Sequence, residues 1–201
     1  MAQPEFWVSI GSTYSYLTVS RLPGIEETTG VAFDWRPFSV RAIMQEMDNI
    51  PFAGKPVKAA YMWRDLERRA AMYGLEPVLP APYPLKDFDR ANRVAVLARR
   101  DGWARDYIRE SYRRWFETGE PAGGEANLAG TLAALGRDPA AVMAEAGDDA
   151  VEAAYKAATV EARKRGIFGA PSFVVDGELF WGDDRLDDAL DWLAEGQVRR
   201  R

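Results

Sequence analysis

The residues best placed to do chemistry begin at a short turn near the start of the chain. Ser12 follows an alternating apolar segment and precedes a helical one. A group at such a turn lies beside the free amides and positive dipole end of a helix, which stabilise an anion and lower the pKa of a thiol. The Ser12 hydroxyl could donate a hydrogen bond to a thiolate there. Alternatively, Ser12 only caps the helix, a role that contributes about 1 kcal/mol.

A second candidate is the segment 166–172, which joins a helix to a predicted strand and contains Gly169 and Pro171. A cis Ala170–Pro171 bond would turn the backbone N–H and C=O of Ala170 toward a ligand in an open groove. Only about 5–6% of X–Pro bonds are cis, so a trans proline that begins a strand is the competing interpretation.

A third candidate is the start of the closing helix, Gly182-Asp183-Asp184-Arg185. Carboxylates at a helix N-terminus are stabilised by the dipole and need no function. The same position could also hold a zwitterion, with Asp184 pairing with an ammonium group while free amides or Arg185 bind a carboxylate.

The 201-residue chain contains neither cysteine nor histidine. This composition excludes a disulfide, a thiolate nucleophile of the protein's own, a Ser–His or Cys–His pair and the usual zinc ligands, and it predicts no metal site. A thiol–disulfide oxidoreductase is therefore excluded. Any thiol chemistry must use a thiol from another molecule.

Composition narrows the class of protein further. The hydrophobic fraction of 47% and the charged fraction of 28% are typical of a globular protein. A net charge of −5 and a basic ending of only three residues, 199–201, argue against nucleic-acid binding. No apolar run approaches the roughly 18 residues of a membrane span, and residues 1–6 carry no basic leader, so we expect a cytoplasmic protein without membrane contact.

The element pattern predicts a divided α/β fold. Phe6–Ile10 and Val31–Arg36 alternate like strands, and a helix interrupted or kinked near Pro23 connects them, which makes a parallel βαβ unit. Residues from about 57 to 166 have helical periodicity, and a hairpin with an Asp176-Gly177 turn and a helix follow. The pattern predicts a thioredoxin-like domain of residues 1–45 and 166–201, with an all-helical domain inserted at 46–165.

Several motifs carry a family resemblance over essentially the whole chain. In order they are Ser12-Thr13-Tyr14-Ser15-Tyr16-Leu17, Asn49-Ile50-Pro51, the helix with Lys58, Tyr61, Asp65 and Arg68, Pro82-Tyr83-Pro84, Gly166 to Pro171, and Gly182 to Arg185. With these motifs the chain resembles the 2-hydroxychromene-2-carboxylate isomerases, relatives of the kappa-class glutathione transferases and of DsbA-type thioredoxin folds. Thr13 stands where the family usually has proline, which predicts a looser turn at Ser12.

The resemblance implies that glutathione is the cofactor. The tripeptide is expected to lie extended beside Pro171, with its cysteinyl backbone pairing with Ala170 and its γ-glutamyl end at Asp184 and Arg185. Ser12 is then the catalytic residue that holds the sulfur as a thiolate. Asn49 lies near both thiol and substrate in relatives.

The resemblance also implies a reaction, the conversion of 2-hydroxychromene-2-carboxylate to trans-o-hydroxybenzylidenepyruvate in aromatic catabolism. Transient addition of a thiolate turns a carbon–carbon double bond into a single bond that can rotate. Lys58 and Arg68 could supply positive charge to this small aromatic carboxylate, and Tyr83 and Trp181 could wall it. The resemblance leaves room for a homodimer.

Structural roles and other functions are alternative interpretations of these residues. Asp65 with Arg68 or Arg69 has the spacing of a surface ion pair worth about 0.2–0.5 kcal/mol, and most aromatic residues pack in a core. A kappa-like transferase that conjugates an electrophile would share the glutathione site. A non-catalytic peptide-binding module would use the proline groove without binding glutathione.

Overall fold

A four-stranded mixed sheet organises the protein. The computed structural model describes residues 3–52 and 54–199. The strands are β1 (Glu5–Val8), β2 (Asp34–Pro37), β3 (Ser172–Val175) and β4 (Glu178–Trp181). Their order across the sheet is β2-β1-β3-β4, with β1 parallel to β2 and antiparallel to β3. Chain segments from both ends of the sequence therefore meet at β1 and β3, as the thioredoxin-like prediction requires.

The first two strands are shorter than the sequence pattern predicted, and β1 ends before Ile10. The Ile10 N–H donates to the Asn92 side-chain oxygen at 2.9 Å, and the Asn92 amide donates to the Ile10 carbonyl at 2.8 Å. Both backbone groups of Ile10 are thus bonded by a distant side chain instead of a neighbouring strand, which ends the ladder.

The helix α1 (Ser15–Thr29) connects β1 to β2 and continues through Pro23, so an interruption at this proline is wrong. A proline in a helix interior costs about 3 kcal/mol because it removes one hydrogen bond and crowds the preceding turn. Buried contacts on both sides offset that cost: Leu22 is fully buried, and the Glu26 carboxylate accepts from the Phe33 N–H at 2.9 Å. The helix ends at Gly30, as predicted.

Helices fill the middle of the chain. They are α2 (Val40–Glu46), α3 (Pro56–Met72), α4 (Phe88–Arg100), α5 (Ala104–Glu117), α6 (Glu125–Ala134), α7 (Pro139–Glu145) and α8 (Asp149–Lys164). The predicted helical insertion is confirmed, although the sequence pattern did not show α2. None of the helices in the described ranges is both long and apolar enough to cross a bilayer.

The hairpin and the closing helix follow the insertion. The turn residues Asp176 and Gly177 both have positive φ, 48° and 90°, as a two-residue hairpin turn requires. A 3₁₀ turn, Asp183–Arg185, leads into α9 (Leu186–Glu195).

One hydrophobic core crosses the predicted domain boundaries. Phe6 and Phe173 of the sheet belong to the same buried cluster as Tyr107, Tyr112 and Trp115 of α5. The insertion therefore packs directly on the sheet, next to the turn that carries Ser12. The division at residues 45/46 and 165/166 stays a prediction.

Candidate functional site

The turn between β1 and α1 contacts the segment before Pro171. The Ser12 hydroxyl donates to the Ala170 carbonyl at 2.7 Å, which joins residues 158 positions apart. The Ala170–Pro171 bond is cis, as predicted. Ser12 precedes the helix by three residues, and α1 has Tyr14 at its N-cap position without a side-chain capping bond. The alternative that Ser12 only caps the helix is therefore wrong.

Side chains from the insertion hold this turn from beneath. The Tyr112 hydroxyl lies 3.0 Å from the carbonyl oxygens of both Ser9 and Ser12, and Asn92 bonds Ile10 as described above. Burial raises the pKa of the Tyr112 hydroxyl, so it stays protonated and able to donate. The sequence analysis assigned most aromatic residues to a core and did not indicate this role for Tyr112. A buried tyrosine needs a polar partner, which is the only signal that could have indicated it.

Thr13 fastens the turn from another side. It is buried, and its hydroxyl donates to the Met62 sulfur at 3.0 Å. The turn is thus tied to α3 by a side chain at the position where the family usually has a proline ring.

A groove of about 400 Å³ opens at Ala170. Its lining residues are Tyr14, Asp65, Arg69, Ala170, Pro171, Trp181, Gly182, Asp183, Asp184 and Arg185. Trp181 lies against the backbone of Gly169, where a Cβ atom would fall only 2.1 Å from the indole nitrogen. Its ring also meets Phe168 edge-on, with centroids 4.8 Å apart. The glycine of this motif is therefore needed so that Trp181 can wall the groove.

The two adjacent aspartates at the groove differ in environment. Only 1% of the Asp183 side chain is exposed, and its carboxylate accepts from Thr18 at 3.0 Å, Arg21 at 3.2 Å and Arg69 at 3.2 Å. The Asp184 side chain is 51% exposed. Asp183 thus joins α1 and α3 to the closing helix, whereas the Asp184 carboxylate is open to a ligand.

Two cations lie at the same end of the site. Arg185 is 3.1 Å from Asp188 and 3.6 Å from Asp184, so its charge is already shared between carboxylates. Arg69 lines the groove and pairs with Asp183. The sequence interpretation considered Arg69 only as a surface partner of Asp65 and missed its place in the groove.

Asp65 contacts two residues other than Arg69. It is 3.5 Å from Arg68, the ordinary surface pair, and it accepts from the Tyr14 hydroxyl at 2.9 Å. Burial and the adjacent Asp65 raise the pKa of Tyr14, so this phenol is a neutral donor in the groove.

Three predicted substrate residues lie apart from these contacts. Asn49 is exposed after α2, Lys58 is exposed on α3, and Tyr83 is half-buried beside the Phe52 and Trp63 rings. Within residues 3–52 and 54–199, no hydrogen bond or ion pair joins any of the three to Ser12 or to the groove lining. The structure therefore groups Ser12 with Ala170 and Pro171, and Asp184 with Arg185, but leaves the substrate residues separate.

The sheet topology, the helical insertion and the groove beside a cis proline define a thioredoxin-fold protein of the DsbA type. A model of the DSBA-like thioredoxin domain matches residues 5–194. A 2-hydroxychromene-2-carboxylate isomerase of Sphingobium xenophagum is 31% identical over 193 residues, which cover 95% of this chain and 97% of that protein. The chain belongs to the DSBA-like thioredoxin domain family and, within it, to the 2-hydroxychromene-2-carboxylate isomerase family.

Two further relatives agree with this placement. A solved structure of 2-hydroxychromene-2-carboxylate isomerase superposes with a TM-score of 0.84 at 25% identity, covering 96% of both chains. Glutathione S-transferase kappa 1 of Caenorhabditis elegans is 25% identical over 211 residues, with 96% of this chain and 91% of that protein covered.

Proposed function

We propose that the protein is a glutathione-dependent isomerase that converts 2-hydroxychromene-2-carboxylate to trans-o-hydroxybenzylidenepyruvate in aromatic catabolism. The observation that carries the proposal is the contact between the Ser12 hydroxyl and the Ala170 carbonyl beside an open groove. It places the hydroxyl of the helix-end turn next to the backbone of the cis-proline segment. The family membership gives the class of reaction.

The groups in the groove fit glutathione, which carries one ammonium and two carboxylate groups on a peptide backbone. Asp184 offers an exposed carboxylate for the ammonium, while Arg69 and Arg185 offer cations for a carboxylate. In the described part of the chain, no group accepts a hydrogen bond from the Ala170 N–H. The Ala170 carbonyl keeps a second lone pair beside the bond from Ser12. The donor and acceptor set therefore complements an extended tripeptide next to Pro171.

When bound, glutathione supplies a thiol whose transient addition turns a double bond into a single bond that can rotate. The protein contributes the environment that favours the thiolate. The Ser12 hydroxyl has one proton, so it can donate to a sulfur anion only by rotating away from Ala170. When the Ser12 hydroxyl donates to the sulfur instead, the Ala170 carbonyl becomes free to accept a hydrogen bond from a peptide N–H. The positive end of α1 acts in the same direction.

We retain Asn49, Lys58 and Tyr83 as the proposed substrate contacts. No polar side-chain atom of these three residues has a hydrogen-bond or ion-pair partner among residues 3–52 and 54–199. Their polar groups are therefore free to bind a ligand. We also propose a cytoplasmic location, where thiols are kept reduced, and a homodimer, which sedimentation would test.

The first experiment measures the binding of glutathione by titration calorimetry, with S-methylglutathione as the control ligand that cannot form a thiolate. We expect micromolar to millimolar affinity for both ligands and glutathione-dependent turnover of 2-hydroxychromene-2-carboxylate. Absence of heat and of any thermal shift with glutathione contradicts the proposal and favours a peptide-binding module.

The likeness to the kappa transferase supports a second candidate, conjugation of an electrophile to glutathione. The two activities differ in whether the thiol leaves again. Parallel assays with the chromene carboxylate and a chloronitrobenzene separate them. Rapid conjugation without isomerisation would favour the transferase.

A further inference from the structure

Arg69 of α3 is held in the groove through one guanidinium nitrogen. Its Nη2 donates to the Asp183 carboxylate at 3.2 Å and to the Tyr73 hydroxyl at 3.0 Å. Within residues 3–52 and 54–199, its Nε and Nη1 form no hydrogen bond. The side chain is 25% exposed and lines the groove. The N–H groups on Nε and Nη1 are therefore available to a ligand.

The charge of Arg69 is neutralised less completely than that of the cations around it. Asp183 is its one carboxylate partner within 4.0 Å in the described ranges, and Arg21 shares the same carboxylate at 3.2 Å. Arg21 has a second partner in Asp187, at 3.5 Å. Arg185 likewise faces two carboxylates. A carboxylate bound to two guanidinium groups offsets only part of their charge, so Arg69 keeps positive charge beside the groove.

Tyr73, directly after α3, fixes the direction of this guanidinium. Its hydroxyl accepts from Arg69, while the centroid of its ring lies 3.7 Å from the guanidinium carbon of Arg21. Packing of the ring under a cation holds the hydroxyl in place. Burial raises the pKa of the Tyr73 hydroxyl, so this group stays neutral and adds no charge of its own. Asp183 and Tyr73 together thus fix Nη2 and leave Nε and Nη1 as the nitrogens with free donors.

We propose that Arg69 makes the site specific for a thiol with an α-amino acid terminus by binding its α-carboxylate, and that Tyr73 is the positioning residue that holds Arg69. The inference rests on the proposed function, in which the exposed Asp184 binds the ammonium group of the γ-glutamyl end. The ammonium and the α-carboxylate of that end are attached to the same carbon atom, and Asp184 and Arg69 line the same groove. A hydrogen bond from a guanidinium to a carboxylate is charge-assisted and therefore stronger than one between neutral groups.

Arg185 is less suited to this carboxylate than Arg69, although it belongs to the family motif. Both terminal nitrogens of Arg185 already face carboxylates, those of Asp184 and Asp188. A ligand carboxylate at Arg185 would have to compete with both, whereas the unused N–H groups of Arg69 require no exchange of partners. A thiol without the γ-glutamyl group, such as cysteinylglycine, is therefore expected to bind weakly.

The test compares glutathione with γ-aminobutyryl-cysteinylglycine, which keeps the ammonium group and lacks the α-carboxylate, by titration calorimetry. We expect the wild type to bind glutathione about tenfold more tightly, equal to about 1.4 kcal/mol. Arg69→Gln should remove this preference, and Tyr73→Phe, which keeps the ring under Arg21, should reduce it to about threefold. Neither substitution should change the affinity for the analogue. A merely structural role would instead weaken the binding of both peptides.

Two variants away from the groove are the matched controls. Arg64→Gln removes an exposed arginine of the same helix that pairs with Glu67. Tyr155→Phe removes a hydroxyl that donates to the Asp89 carboxylate at 2.9 Å. Both variants should keep the wild-type preference, because neither side chain lines the groove.

Asp183 keeps its bonds from Thr18 and Arg21 when Arg69 is replaced, so Arg69→Gln is expected to fold. If thermal unfolding shows that it does not, Tyr73→Phe decides the question alone. Equal binding of the two peptides by the wild type overturns the inference, as does a preference that persists in Arg69→Gln. An undiminished preference in Tyr73→Phe overturns its positioning role.

The proposed function fails separately. If glutathione is bound in an Arg69-dependent way but does not support turnover of the chromene carboxylate, the specificity stands and the isomerase falls. If glutathione supports turnover and γ-aminobutyryl-cysteinylglycine binds equally well, the isomerase stands and the specificity falls. Absence of binding of both peptides contradicts both.

Discussion

The two sides of the Ser12 turn are built differently. On the groove side, Ala170 is bonded by Ser12, Asp183 is buried among arginines, and Trp181 packs against Gly169. On the opposite side, Phe88 packs against Gly11, and the exposed Arg41 guanidinium above the Phe88 ring has no ion-pair partner among residues 3–52 and 54–199. Preorganised contacts suit a ligand that is always the same, because they lower the ordering cost of binding. The groove side is therefore fixed by contacts within the fold, whereas the polar side chain of Arg41 is not.

The largest effect is expected on stability, when each of the two adjacent aspartates of the groove is replaced separately by asparagine. Asp183→Asn leaves Arg21 and Arg69 without their buried partner and should lower the free energy of unfolding by about 3 kcal/mol. Asp184→Asn, its matched control on an exposed side chain, should change stability by less than about 0.5 kcal/mol. Urea denaturation of both variants measures this difference.

Glutathione affinity should show the reverse order in these two variants. Asp184→Asn removes the proposed partner of the ammonium group and should weaken binding about tenfold while the protein stays folded. Equal stability losses in the two variants would contradict the assignment of Asp183 to the fold and of Asp184 to ligand binding.

These aspartates also show where sequence reasoning ends. The hairpin was predictable because Asp176 and Gly177 set their own backbone conformation. Neighbouring Asp183 and Asp184 are chemically identical, and only the distant Arg21 and Arg69 decide which of them is buried.

The same limit applies to the helices. The spacing within α3 offered both Arg68 and Arg69 as partners for Asp65, and tertiary structure directed Arg69 to the groove. Local rules and the family motifs predicted the order of the elements and indicated Ser12 and Ala170 as candidate residues, but not the hydrogen bond between them. The bonds from Asn92 and Tyr112 to the turn join distant positions and left no local pattern.

An intermediate effect should come from Ser12→Ala. Loss of a hydrogen bond to an anion should raise the titration midpoint of the bound thiol by about one pH unit, toward the ordinary value of about 8.5, which is about 1.4 kcal/mol. The sign follows because the hydroxyl stabilises only the ionised form, so its removal favours the protonated thiol and reduces the thiolate fraction at pH 7. The ultraviolet absorbance of the thiolate measures the midpoint.

Ser39→Ala is the matched control for Ser12→Ala. Ser39 is a true N-cap, since its hydroxyl accepts from the Ala42 N–H at 3.2 Å. Its loss should cost about 1 kcal/mol of stability and leave the midpoint unchanged. If Ser12→Ala behaves in the same way, the thiolate role of Ser12 is contradicted.

The smallest effect is expected on the thiol midpoint, when either of two buried tyrosines of α5 is replaced by phenylalanine. The Tyr107 hydroxyl donates to the Ala91 carbonyl at 3.1 Å, while that of Tyr112 bonds the turn at Ser9 and Ser12. Either tyrosine changed to phenylalanine loses a buried hydrogen bond and should lower stability by about 1 kcal/mol. Only Tyr112→Phe frees the carbonyls of the turn that carries Ser12, so only it should also raise the thiol midpoint, by about half a pH unit or about 0.7 kcal/mol.

Because both tyrosine variants are expected to lose the same stability, a difference between their thiol titrations reports on the Ser12 turn. A structural loss moves the unfolding midpoint in both variants, whereas displacement of Ser12 moves the thiolate titration in one. If Tyr107→Phe shifts the titration as much as Tyr112→Phe, the insertion acts on the site only through general stability. If Tyr112→Phe alone shifts it, the helical insertion positions a turn that the sheet by itself leaves unsupported.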